Sequence, residues 1–287
     1  MQGVTLNNIS ALDKFRRDDC DLVYLFTNAR DEPNIAEWVA HHLLLGFDRI
    51  HIFDHKSVIP ISQKLGTTFN RVTVERIENI DGSIKLKLIT KAVDIAAKRR
   101  ASWMLYLDAD EFMVLNKINN VKEMLTMFKF ADALSINWLM FGTSGHQTQP
   151  AGLLTDNFIR SDKILNPHVK TFVRPNAVKL PISNPHFYNI INPARYFSVT
   201  GNRMAPNPFN HVKRLFIHVQ AYIAHYCIQS EEEYYRRKGR PMDDGSASLV
   251  TKNPNIHQIN NEVPNNQLQY KYSQRIKDFL AQHNIQL

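Results

Sequence analysis

The stretch Trp103-Met104-Leu105-Tyr106-Leu107-Asp108-Ala109-Asp110-Glu111-Phe112 decides how the chain is read. Its first five residues are apolar without interruption, which suits a strand covered on both faces in a parallel sheet. Two aspartates one residue apart then leave that strand, and open α/β sheets hold their ligands at the C-terminal ends of strands. Carboxylates so placed can face a hard divalent cation, Mg2+ or Mn2+, with coordination positions left for a hydroxylated or phosphorylated ligand. A solvated acidic turn without a ligand fits the same few residues.

Working outward, Leu22-Val23-Tyr24-Leu25-Phe26 is a second continuous apolar run. A polar turn, Asn28 to Glu32, follows it. Pro33 suits a first helical turn, Ile35, Trp38, Val39, Leu43 and Leu44 share one helical face, and Gly46 closes the helix. Arg49 to Phe53 is a further strand ended by Asp54, and Val72 to Val74 another. Ser83 caps a helix running to about Lys98. This alternation predicts an α/β fold, Rossmann-like, with a mostly parallel sheet and helices outside. Beyond residue 115 the spacing predicts a helix over Val121 to Phe130, strands at Ala133 to Trp138 and Val169 to Val173, and a late strand at Arg214 to Val219. Residues 181–211 read as irregular. Ser230 starts a helix with an acidic first turn, and Gln267 to His283 forms a last one. The whole chain, 1–287, is expected to be a single domain: an alternating α/β half over 21–115, a second half over 116–227 and a helical C-terminal segment over 228–287.

The 287 residues are 44% hydrophobic and 22% charged, which excludes disordered, collagen-like and coiled-coil chains. Thirty-five Lys and Arg against 27 Asp and Glu leave a charge of +8, so an anionic partner is expected. The basic residues are scattered and accompany no nucleic-acid-binding motif, which argues against nucleic acid. Anionic membrane remains a possible peripheral contact. The two cysteines, Cys20 and Cys227, make no disulfide framework and suit a reducing compartment. The first twenty residues are polar, unlike a signal peptide, and no apolar run is long enough to span a membrane. A cytoplasmic protein, at most peripheral to a membrane, is expected.

A strand followed by D-x-D also marks phosphatases of the haloacid dehalogenase class. There a Thr or Val stands two residues after the second Asp, where this chain has Phe112, and the motif belongs to the first strand. The segment instead resembles the W-hydrophobic-D-x-D-E-F block of family-2-like glycosyltransferases of the GT-A fold, in the subgroup related to family 92. Further blocks match that group in order: Asn28 to Glu32 with Glu37-Trp38 and His41 to Phe47; Phe53 to Ser57; Phe141-Gly142-Thr143-Ser144-Gly145-His146; His168 to Pro175; Pro185-His186-Phe187; and His225-Tyr226 with Ser230, Glu233-Tyr234 and Lys238-Gly239-Arg240. An ordered set across residues 22–240 is more specific than any one block.

The resemblance implies an inverting, metal-dependent transfer of a sugar from a nucleotide donor, UDP-linked, to a glycan or lipid-linked acceptor, with 21–115 as the nucleotide-binding half and 116–227 as the acceptor half. It implies that Asp110 holds the cation and that Asp108 meets the ribose, or the metal through water. His225 is implied as a further metal ligand; as a plain residue it reads equally as a packed histidine. Asn28, Arg30, Glu32 and Asp54 stand where such a fold contacts base and ribose, or serve as turn and cap residues. Lys238 and Arg240 offer a basic cover for the diphosphate, or a solvated positive face. For the general base, Asp156 occupies the place where relatives carry Glu-Arg-Phe, with Asp162 and Glu111 as rivals. His146, Arg174 and His186 are assigned to the acceptor side, or to hydrogen bonding within packed loops. A non-catalytic glycosyltransferase-like scaffold and a nucleic-acid-binding protein are the alternatives.

Overall fold

The computed structural model describes residues 22–66, 69–78, 84–239 and 252–285. In chain order the elements are β1 (Val23–Ala29), α1 (Ile35–Leu44), β2 (Arg49–His55), α2 (Ile61–Leu65), β3 (Val72–Ile77), α3 (Ile84–Lys98), β4 (Trp103–Tyr106) and β5 (Glu111–Leu115). There follow α4 (Val121–Met127), β6 (Ala133–Met140), α5 (Leu154–Asn157), β7 (Arg160–Ser161), β8 (Asn166–Val173) and β9 (Tyr196–Ser198). The chain ends in β10 (Ala221–His225), α6 (Glu231–Lys238), β11 (Val263–Pro264) and α7 (Gln267–Gln282).

One large sheet runs β3-β2-β1-β4-β8-β6-β10-β5, with β9 paired to β6. The first four strands are parallel, β8 is antiparallel to both β4 and β6, β10 is parallel to β6, and β5 closes the sheet antiparallel to β10. The C-terminal ends of β1, β2, β3, β4, β6 and β10 therefore share one edge. The strand order reverses between β1 and β4, the switch point at which doubly wound sheets open a crevice. This is the α/β architecture expected from the sequence, a mixed, mostly parallel sheet flanked by helices.

Both faces of the sheet are covered, which is why the strands read as unbroken apolar runs. Val23, Leu25 and Leu105 pack into one core with Trp38 of α1, Phe112 of β5 and Tyr272 of α7. Their neighbours Tyr24, Phe26, Met104 and Tyr106 point to the other face, against Leu88, Ile89 and Ala92 of α3. Gly46 adopts φ +101°, and a Cβ there would come within 2.6 Å of the Asn120 side chain, so the turn into β2 requires glycine.

Some boundaries differ from the sequence reading. The late strand is Ala221–His225, not Arg214 to Val219; residues 216–218 form a 3-10 turn. The buried run from Ala221 to Ala224 of β10 fits between β6 and β5, whereas residues 211–215 lie on the surface as extended chain. Phe112, read as the end of the D-x-D block, opens into β5, a strand the sequence did not announce. The first helix starts at Ile35, after Pro33. Ser83, the expected cap of α3, lies outside the described residues, as do Cys20 and Arg240.

Candidate active site

The turn between β4 and β5 is fixed on every side. The Tyr106 hydroxyl donates to Asn28 Oδ1 at 3.1 Å, tying the ends of β4 and β1 across the switch point. The Trp38 indole N–H donates to the Glu111 carbonyl at 2.8 Å, and the Asp108 amide donates to the Glu111 carboxylate at 2.8 Å. From the other end of the chain, the Tyr226 amide donates to the Asp110 carbonyl at 2.9 Å. Backbone bonds of this kind leave the two aspartate side chains little freedom of direction.

Three cations from three separate elements meet those side chains. Asp108 accepts from Lys85 of α3 and from Lys170 of β8, the latter at 3.0 Å. The Lys170 side chain is only 1% exposed and also lies 3.3 Å from Glu111 Oε2. Asp110 Oδ2 accepts from Arg237 of α6 at 2.9 Å, while its Oδ1 stands 3.7 Å from His225 Nε2 at the end of β10. Arg237 further reaches Glu32 Oε2 and Glu233 Oε1, each at 3.3 Å. Ser230 positions that helix: its hydroxyl accepts the Glu233 amide at 3.1 Å as N-cap.

The charges follow from burial set against these partners. Burial alone would raise Asp108, but Lys170 and Lys85 hold it well below the usual carboxylate range. Asp110 is likewise held down, against burial, by Arg237 and His225. For Glu111 burial wins, and its carboxyl is pushed up to about 8. Burial would lower Lys170 and Arg237, yet the facing carboxylates keep both above their ordinary values. His225 is lowered by burial, in spite of the Asp110 and Asp108 carboxylates.

Among the described residues no three His, Cys, Asp or Glu side chains converge as a preformed cation site. Asp110 and His225 nevertheless make an O and N donor pair facing one another, and the buried Glu32 Oε1 beside them has no hydrogen-bond partner. A carboxylate oxygen and an imidazole nitrogen, with phosphate oxygens completing the shell, fit a divalent cation that accepts both donor types, Mn2+ better than the oxygen-preferring Mg2+. Asp108, with an ammonium on each oxygen, fits orientation of a ligand hydroxyl better than direct coordination.

The remaining expected residues fall into two groups. His186 joins the site: its ring meets Trp138 at 5.2 Å, Trp138 packs on His225 at 4.3 Å, and burial lowers its pKa to about 4. Glu32 is buried against Arg237, and Arg30 is exposed just past β1. Asp54 stands at the end of β2, where its oxygens accept the Ser57 and Ile61 amides at 3.2 and 3.0 Å and Arg76 at 3.1 Å. It thus shapes the loop beside the crevice.

Four others are directed elsewhere. Arg174 bonds the Ala131, Ser102 and Lys129 carbonyls and lies over Trp103, at the opposite end of β4 from Asp108. Asp156 accepts from Ser273 at 2.8 Å and Lys277 at 2.7 Å of α7. The His146 ring contacts the Asn157 carbonyl at 3.0 Å and Phe158. Lys238 is exposed over the Tyr234 ring.

Lys85, Lys170, Arg237 and Trp138 join the site without having been singled out from the sequence. Lys170 carried a signal: a charged residue inside the apolar strand Val169 to Val173, where only a paired cation is tolerated. Arg237 carried another, one helical turn after the acidic start of α6 and on the same face as Glu233.

No family model matches the chain. No curated protein matches it either. Among solved structures, S. aureus TarS aligns with a TM-score of 0.38 and 14% identity, over 56% of this chain and 30% of TarS. A UDP-glucose pyrophosphorylase solved with UDP-glucose aligns at 0.31 and 9%, over 54% of this chain and 77% of its own. The glucosyl-3-phosphoglycerate synthase of Mycobacterium tuberculosis, solved with Mn2+, UDP-glucose and phosphoglyceric acid, aligns at 0.32 and 12%, over 62% and 64%. The likeness is partial, and the matched part spans less than a third of TarS.

Proposed function

We propose that this chain is a glycosyltransferase moving a sugar from a nucleotide-linked donor, UDP-sugar, to a hydroxyl of a glycan or lipid-linked acceptor, with inversion at the sugar carbon. The observation that carries the reading is the D-x-D turn at the switch point, gripped by Lys85, Lys170 and Arg237 and faced by His225. The other ordered sequence blocks that resemble family-2-like glycosyltransferases support it as well.

In this reading the nucleoside lies over the ends of β1 and β2, beside Asn28 and the loop shaped by Asp54, and Asp108 receives a ribose hydroxyl. The diphosphate faces Asp110, His225 and Arg237. Asp110 and His225 would hold Mn2+ or Mg2+, which when bound neutralises charge on the departing diphosphate. Arg237 adds a bidentate phosphate partner from α6 and can exchange Asp110 for a phosphate oxygen while Glu32 and Glu233 keep its guanidinium in place. The acceptor oxygen bonds the sugar carbon as the carbon–phosphate oxygen bond breaks, and a carboxylate takes the acceptor proton.

Asp162 suits that last role better than Asp156. It follows β7, its amide donates to the Met140 carbonyl at the end of β6, and Met140 pairs with His225. Burial, with Glu262 nearby, pushes its carboxyl up to about 6, close to the working range of a base.

Calorimetric titration with UDP-glucose and related UDP-sugars, with and without Mn2+, tests the reading. At least one donor should bind in a Mn2+-dependent manner, and Asp110→Ala should lose that binding and all transfer. Wild-type-like turnover in Asp110→Ala overturns it.

A further inference from the structure

Residues 208–216 run antiparallel to residues 163–169 along the edge of the molecule. The Val169 amide donates to the Pro208 carbonyl at 3.1 Å, the Leu165 amide to the Arg214 carbonyl at 3.0 Å and the Phe216 amide to the Lys163 carbonyl at 3.3 Å. Bridges pair His168 with Phe209 and Ile164 with Leu215. In extended chain alternate residues face one way. Here Phe209, His211, Lys213 and Leu215 are all exposed, and Ile217 follows them. Four large apolar side chains thus stand in solvent on one lip: Ile164 at 40%, Phe209 at 41%, Leu215 at 39% and Ile217 at 50% exposure. Lys163, Lys213 and Arg214 are interleaved with them, and among the described residues none of the three forms an ion pair with an acid.

We propose that this lip seats the protein on an anionic lipid surface. The apolar side chains enter the headgroup boundary while the basic ones meet lipid phosphates, the composition by which interfacial segments bind. The long Lys and Arg stems let apolar and charged groups engage at one depth. The position argues for the same partner. Phe209 contacts the His168 ring at 4.7 Å, His168 stacks on Trp138 at 5.0 Å, and Trp138 packs on His225 at 4.3 Å. A continuous run of rings thus joins the lip to the D-x-D turn, so a surface bound at the lip lies beside the crevice. The inference stands on the lip itself and does not require the transferase reading.

Co-sedimentation with vesicles of phosphatidylcholine alone and with added phosphatidylglycerol tests it. The full chain should prefer the anionic vesicles by at least about tenfold, the preference shrinking as salt rises. Lys213→Ala with Arg214→Ala should weaken that binding by roughly 25-fold, about fivefold for each basic residue removed at a lipid surface. Leu215→Ser with Ile217→Ser should weaken it at least about tenfold by loss of apolar insertion. Both pairs are exposed, so melting temperature and donor binding should match the wild type. Equal affinity for the two vesicle types, no binding to either, or variants that bind vesicles like the wild type would each overturn the proposal. So would a finding that the variants lose only single-stranded RNA binding or self-association.

Discussion

Lys170 is the sharpest point at which to test the electrostatics of the site. Its ammonium is almost fully buried, 3.0 Å from Asp108 and 3.3 Å from Glu111. Lys170→Met keeps the length of the side chain and removes the charge. Stripping one partner from a buried ion pair costs about 3–5 kcal/mol. Glu111, its carboxyl pushed up to about 8 by burial, loses less than Asp108 does. Asp108 is 25% exposed and keeps Lys85, so the lower end, about 3 kcal/mol, applies. For a chain of this size that is a fall of roughly 6–12 °C in melting temperature. Circular dichroism melts at pH 7 measure it. Adding Asp108→Asn should recover part of the loss, leaving a coupling of about 2 kcal/mol in the double-mutant cycle. Melting within about 2 °C of the wild type, or additive single effects within about 0.5 kcal/mol, would refute the account.

Three further outcomes are expected. Asp162→Asn should lower kcat by about 100-fold or more with donor affinity nearly unchanged, whereas Asp156→Asn should chiefly lower the melting temperature by freeing Lys277; steady-state kinetics and calorimetry separate the two. Ser230→Ala removes the N-cap of α6 and should cost about 1 kcal/mol, read as a drop of roughly 2–4 °C. Glu37, buried in α1 although Leu154 and Thr155 donate to it, has its carboxyl raised from 4.5 to about 7. The folded chain then holds a proton that the unfolded chain has released, so stability should fall as pH rises from about 4.5 to about 7. Glu37→Gln should flatten that slope in denaturant titrations; an unchanged slope would place the proton elsewhere.

The parallel half of the fold was legible because each of its strands is covered on both faces and so reads as an uninterrupted apolar run. Asp108 and Asp110 were legible for the same reason, standing where such a run stops. Their cations were not, because Lys170 and Arg237 lie 62 and 127 residues away and are brought in by pairing rather than by proximity along the chain. The sequence reading settled on Lys238 and Arg240; Arg240 lies outside the described residues, and for Lys238 helical phase decides otherwise. Ser230 sets the start of α6, Glu233 turns inward, and the residue four positions on, Arg237, faces Asp110 while Lys238 faces solvent. Arg174 stood in a matching block, yet β8 is antiparallel to β4, so its two ends reach opposite rims. Strand direction cannot be read from composition, and it separates Lys170 from Arg174.

The placement of β10 bears on how the protein is made. Leu115 pairs with Ala221, and residues 116–220 must emerge from the ribosome before that partner exists. Until then β5 has no neighbouring strand and β6 is unpaired on that side from Trp138 to Met140, the kind of edge on which nascent chains clump or recruit chaperones. The amide that pins the Asp110 carbonyl belongs to Tyr226, and the imidazole facing its side chain to His225. Strand closure and site assembly are therefore one late event, so a chain interrupted before that insertion lacks both the final pair of the sheet and a finished carboxylate turn.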